Sequence, residues 1–178
     1  MTAPTQTPAA GVAAIKTPKQ QYVENFERET ATTLKVLKAY PEDQSELRPS
    51  ERLKTARELA AMFTMEMAAI DAVVRGTFTF PPKPPPMPQN WKEVMEAFEK
   101  VRASTIEGLR EASEESLTTG TVPFLIGPKT PGQWPKMEFL WFLLLDQIHH
   151  RGQLSIYLRI AGGKLPSIYG PTADEPWS

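Results

Sequence analysis

The chain's two histidines lie side by side in one short segment, Asp146-Gln-Ile-His149-His150-Arg151-Gly152-Gln153. That segment follows directly on the densest apolar run, Phe139 to Leu145. On a helix, residues three and four apart meet on one side, so Asp146, His149, His150 and Gln153 are expected to face roughly one way. Polar groups beside a buried stretch must find partners or they cost free energy. Two chemistries meet that demand. In one, Asp146 accepts a hydrogen bond from His150 and the cluster satisfies itself between helices. In the other, Asp146 and His150 offer an oxygen and a nitrogen to a divalent metal, with further ligands from another helix, as bundle cores commonly arrange. Glycine inside a helix costs about 1 kcal/mol against alanine, so Gly152 is expected at a close approach, either a tight helix crossing or a bound group. Arg151 reads as a solvated or interface charge. Arg159, near the C-terminus of the same helix, complements the helix dipole.

Composition narrows the chemistry further. Cysteine is absent, which excludes a cysteine nucleophile, a disulfide framework and every thiolate metal site. The formal net charge of −1 gives no basic footprint for nucleic acid or an anionic membrane surface. No apolar run reaches the roughly 20 residues of a membrane span. Met1 to Thr17 is rich in Ala, Thr and Pro and lacks the pattern of a secretion signal. These features predict a cytoplasmic protein with an extended or disordered arm over residues 1–18 and one domain over residues 19–178, which is long enough to bury a proper core.

The elements that must position the cluster are helices. The first is predicted from about Lys19 to Tyr40, with Phe26, Thr30, Thr33, Leu34 and Leu37 on one face and Pro41 as its stop. The second runs from Ser50 or Thr55 to Arg75. Thr55 and Glu58 have capping-box spacing, Leu59, Met62, Phe63, Glu66 and Ile70 share a stripe, and Gly76 ends the helix. The segment Phe80-Pro-Pro-Lys-Pro-Pro-Pro-Met-Pro88 reads as a stiff crossover. The third helix is predicted from Asn90, a good N-cap with Glu93 three residues on, to about Leu117. Thr118 to Trp134 reads as a long loop of the kind that wraps over a site. The fourth helix runs from Pro135 to Ala161 and is stopped by Gly162. Its first half is apolar nearly all round, so part of its surface is expected in a subunit interface. No strand is predicted. The class is all-α, a four-helix bundle with a long Pro-rich connection between helices two and three.

The run His149-His-Arg-Gly-Gln153, followed by Leu154, Tyr157-Leu-Arg159, Gly162 and Pro166, resembles the DinB-like (DinB/YfiT) superfamily, named for damage-inducible bacterial genes. The tail Pro166-Ser-Ile-Tyr-Gly-Pro-Thr-Ala-Asp-Glu175 is similar to one branch of it. The resemblance implies a four-helix bundle, often a homodimer. It also implies a divalent metal, such as nickel or zinc, on three histidines, one from the second helix and two from the fourth. Characterised relatives include transferases and isomerases that use low-molecular-weight thiols such as mycothiol or bacillithiol.

Carried over by position, His150 keeps the last ligand and Asp146 replaces the histidine four residues earlier. A carboxylate still binds a divalent metal. The second-helix position falls on Met62, a poor partner for nickel or zinc beside hard ligands. Glu66, one turn on, and His149 are the possible substitutes. Arg159 and the Thr118–Trp134 loop are expected to shape a substrate pocket. The expected function is a metal-dependent transferase or hydrolase acting on a small molecule. The alternative is a non-catalytic bundle that has lost the triad and serves as a small-ligand-binding or dimeric stress-response protein.

Overall fold

The computed structural model describes residues 15–177. Most of the arm expected over residues 1–18 lies outside the described residues. Four long helices organise the rest: α1 (Pro18–Ala39), α2 (Ala56–Val74), α3 (Trp91–Glu111) and, after a short α4 (Glu114–Thr118) and a hairpin of β1 (Thr121–Gly127) and β2 (Thr130–Pro135), the long α5 (Lys136–Ile160). Helix α2 packs on both α3 and α5, and α1 closes the core against α5 and α3. Phe26, Phe63, Phe98 and Phe139 are fully buried at the centre.

Local chemistry sets the helix starts. Thr55 and Glu58 form a capping box on α2, as their spacing predicts, and Thr17 and Gln20 form another on α1. Asn90 Oδ1 accepts from the Glu93 N–H at the start of α3. At the far end of α5 the chain turns through Gly162 at φ +78°, and the Gly163 N–H donates to the Leu158 carbonyl at 2.9 Å. A left-handed residue there satisfies carbonyls that the helix leaves open.

Two expectations are corrected here. The third helix does not continue to Leu117, because Ala112 is extended and the Ser113 hydroxyl caps a new helix by accepting from the Ser116 N–H. Glu114 of that helix accepts from the Thr17 hydroxyl and the Lys19 N–H, fastening it to the start of α1. The stretch expected as an irregular loop, with no strand, is an antiparallel hairpin in which Val122 faces Trp134 and Phe124 faces Gly132. Its prolines disguise it in the sequence. A two-stranded sheet has only edges, so Pro123 and Pro131 can sit where their missing N–H is not needed. The fold class is therefore mostly helical with a small sheet.

Candidate metal centre

Helix α5 places consecutive side chains on different faces, and this separates the predicted cluster. His149 is exposed and hydrogen-bonds Gln153 at 2.9 Å. Asp146 and His150, four apart, face α2 instead, where they meet Glu66. One ligand atom from each of Glu66, Asp146 and His150 lies within 4.8 Å of the other two. Glu66 sits on the α2 stripe with Leu59, Phe63 and Ile70 and is 6% exposed. Of the two expected substitutes, Glu66 joins the cluster and His149 does not. Met62, the position expected to carry the third ligand, stands one turn earlier as a wall of the adjoining pocket.

The contact within the cluster is close but poorly aligned. His150 Nδ1 lies 2.7 Å from Glu66 Oε1. Nonetheless neither that nitrogen nor either Glu66 oxygen makes a hydrogen bond of acceptable geometry among the described residues. The self-satisfied arrangement with Asp146 accepting from His150 is thus replaced by a histidine set against a second carboxylate. Burial is the main cause that pushes the Glu66 carboxyl up to about 7, against the pull of His150. Glu66 in turn holds the His150 imidazole above its ordinary value, outweighing its own burial. Such a cluster keeps a proton near neutral pH that a cation would displace.

The residues fit a divalent metal. Two carboxylates and one imidazole are borderline-hard donors suited to zinc or nickel. Two negative charges also compensate a dication where water is scarce. The buried, unaligned donor atoms of Glu66 and His150 are what a metal would satisfy.

A pocket of about 580 Å3 opens beside the cluster, with Glu66 and Asp146 in its wall. Helices α2 and α5, Phe124 of β1 and the proline-rich connector enclose it. The Thr118–Trp134 region does border the site, as expected, but as a strand. Phe124 packs on Phe139 at 4.9 Å between ring centres, and Trp134 on Phe142 at 5.2 Å, so the hairpin is held to α5 by aromatic contacts. Arg159 has no place in this lining and pairs with Asp174 of the tail at 3.2 Å.

Sequence reasoning missed a second polar cluster. Arg151 is not a solvated charge: it is 1% exposed and points the opposite way, toward α1. Its guanidinium donates to Glu29 Oε2 at 2.7 Å, to the Glu29 carbonyl at 2.9 Å and to the Tyr169 hydroxyl at 2.5 Å. The Tyr169 hydroxyl itself donates to Glu29 at 2.6 Å, which ties the tail to the bundle. The signal was available, since Glu29 falls beside Phe26, Thr30 and Thr33 on the inner face of α1. Gly152 is corrected too: a Cβ there would meet nothing within 4 Å, so no helix crossing among the described residues requires it.

Comparison with known proteins agrees with this architecture. The family model described as "DinB family" matches residues 15–177. The chain is 25% identical over 157 residues to the uncharacterised protein YrdA of Bacillus subtilis, covering 88% of this chain and 90% of that one. Among solved structures it resembles a DinB-like protein from Bacillus cereus, with a TM-score of 0.68 at 25% identity, over 83% of this chain and 95% of the other. A DinB-like protein from Bacillus subtilis gives a TM-score of 0.65 at 20% identity, over 83% and 97%. With a family model spanning all of the described residues and a fold like that of these structures, the protein belongs to the DinB family.

Proposed function

We propose that this protein is a metal-dependent DinB-type enzyme, a transferase or hydrolase, that acts on a small molecule at the Glu66–Asp146–His150 cluster. One observation carries the reading: three donor atoms from two helices converge within 4.8 Å at the edge of a cavity, and those of Glu66 and His150 lack aligned hydrogen-bond partners. Glu66, Asp146 and His150 would hold the ion, zinc or nickel. When bound, such an ion supplies Lewis acidity toward a carbonyl, or lowers the pKa of a thiol or water. The chain's own groups do the rest. Phe142 and Leu143, one turn before Asp146 on α5, give the cavity an apolar wall beside the cluster. The buried α2 stripe fixes Glu66 against His150, which limits the reorganisation that binding requires. A low-molecular-weight thiol as cosubstrate belongs to this reading by family resemblance.

The same reading takes the four long helices as a four-helix bundle into which α4 and the hairpin are inserted. It also includes a homodimer formed through α5. Leu145, Ile156 and Ile160 are more than half exposed on that helix, and His149 and Gly152 are exposed among them. Leu145, His149, Gly152 and Ile156 recur at coiled-coil spacing, so the stripe is able to meet its own copy. No helix among the described residues is long and apolar enough to cross a membrane.

Metal analysis of tag-free protein tests the central assignment. About one equivalent of zinc or nickel per chain is expected, falling below about a tenth in Glu66→Gln and His150→Ala. Wild-type protein that stays below a tenth after incubation with either ion would overturn it and favour a ligand-binding protein without catalysis.

A further inference from the structure

The cavity beside the cluster has a composition that states what it accepts. Its room comes from α2, where the small side chains of Ala69 and Ala72 line it, and its aromatic lining includes Phe124, Phe139 and Phe142. Prolines of the connector close another side, and their rings bring no N–H donor. The polar lining falls into two small sets. One is Glu66 and Asp146 of the cluster, and the other is Thr77, Thr79 and Lys83 on the connector. The rest is aromatic, proline, methionine, alanine and leucine. A volume of about 580 Å3 falls in the range of pockets that enclose most of a drug-sized molecule.

These walls discriminate between ligand classes. A sugar-based thiol carries many hydroxyls, each of which loses water on entry and needs a protein partner. The aromatic and proline walls offer none, and a ligand of that kind would leave most of its hydroxyls facing hydrocarbon. An apolar body gains instead, because each buried methylene is favourable by a roughly constant increment. A single polar group is then accommodated at one of the two polar sets, and the cluster is the one that would hold the metal.

We propose that the substrate of this site is an amphiphilic small molecule. Its aromatic or branched hydrocarbon body lies against Phe124, Phe139 and the connector prolines, and its single carbonyl-bearing head, an ester or amide, faces Glu66, Asp146 and His150. The head assignment rests on the metal reading above, whereas the body assignment rests on the cavity alone. Any polar thiol cosubstrate therefore approaches from outside the cavity.

Two homologous series separate these parts. The zinc-loaded full chain is titrated with straight-chain hydroxamates from acetyl to octanoyl, and the metal-free chain with the matching primary amides. Affinity is expected to rise about fourfold per methylene in both series until the cavity is filled. Ala69→Phe, which plugs the cavity, is expected to flatten both series while zinc content is unchanged. Ala72→Leu is a smaller plug that serves if phenylalanine at position 69 prevents folding. Flat affinity in both wild-type series overturns the apolar body, whether or not zinc binds. So does a series that Ala69→Phe and Ala72→Leu leave unchanged, or a sugar thiol that displaces the hexanoyl compounds at equal concentration. A rising amide series in protein that binds no zinc upholds the body and overturns the metal reading separately.

Discussion

His150 and Arg151 are neighbours in sequence and opposites in circumstance. Arg151 is buried toward α1 with its donors met by Glu29, Thr33 and Tyr169. His150 is half-buried against α2, its Nδ1 2.7 Å from Glu66 but with no aligned hydrogen bond. One cluster is a finished structural joint and the other is open to a further group. Their charges agree with that difference. Burial pushes Glu29 up, but the Tyr169 hydroxyl and the Arg151 guanidinium outweigh it and hold the carboxylate below its usual range. Burial pushes Glu66 up to about 7, and there the nearby histidine does not prevail. A buried polar group that is partnered stabilises the fold, and one that is not is tolerated where function needs it.

The largest effect should come from breaking the finished joint. Arg151→Met leaves the Glu29 carboxylate buried beside an apolar side chain, and removing one partner of a buried pair costs about 3–5 kcal/mol. Thermal unfolding of the metal-free protein is expected to drop by roughly 10 °C, with zinc still binding to the folded fraction. An unchanged melting temperature would erase the distinction between the two clusters.

The second effect is a difference of sign with pH. Glu66 titrates higher in the folded chain than in the unfolded one. Its contribution is therefore complete below its unfolded pKa of 4.5 and is lost as pH rises through about 7. His150, also raised, extends that loss above its unfolded 6.5. Glu29 behaves oppositely, stabilising above 4.5 and losing its contribution as pH falls through its lowered value. Chemical denaturation of metal-free protein between pH 5 and 8 should lose on the order of 2 kcal/mol from Glu66 alone. Glu66→Gln should flatten that slope, and a slope equally steep in the variant would contradict the assignment.

The smallest effect is expected at the tail. Tyr169→Phe removes two hydrogen bonds from the finished joint but leaves the Arg151–Glu29 pair in place. A loss of about 1 kcal/mol is expected by denaturant titration. A loss as large as that of Arg151→Met would make the tail, rather than the ion pair, the main element of the joint.

How far the sequence showed all this depends on whether the signal was local. The helices and their capping residues at Thr55 and Asn90 were legible because capping is a matter of three or four adjacent residues. Asp146 and His150 were legible for the same reason. Glu66 stood on the right stripe, but whether it or Met62 faces α5 depends on how two helices register, which no local pattern encodes. The hairpin was hidden because Pro123 and Pro131 argue against strands, and only its isolation as a two-stranded sheet makes them harmless. The Arg151–Glu29–Tyr169 joint spans 140 residues between Glu29 and Tyr169. Its members are individually unremarkable as charged or polar residues and acquire meaning only through packing.

The open cluster is expected to bind a divalent ion and the closed one is not. Calorimetric titration of zinc into metal-free protein near pH 7, in two buffers of different ionisation enthalpy, tests it most directly. Wild type is expected to bind about one ion per chain and to release about one proton per ion, since zinc displaces a proton that the cluster retains near neutral pH. Arg151→Met should retain that binding and Glu66→Gln should lose it. No saturable binding in wild type, or equal binding in Glu66→Gln, would contradict the claim.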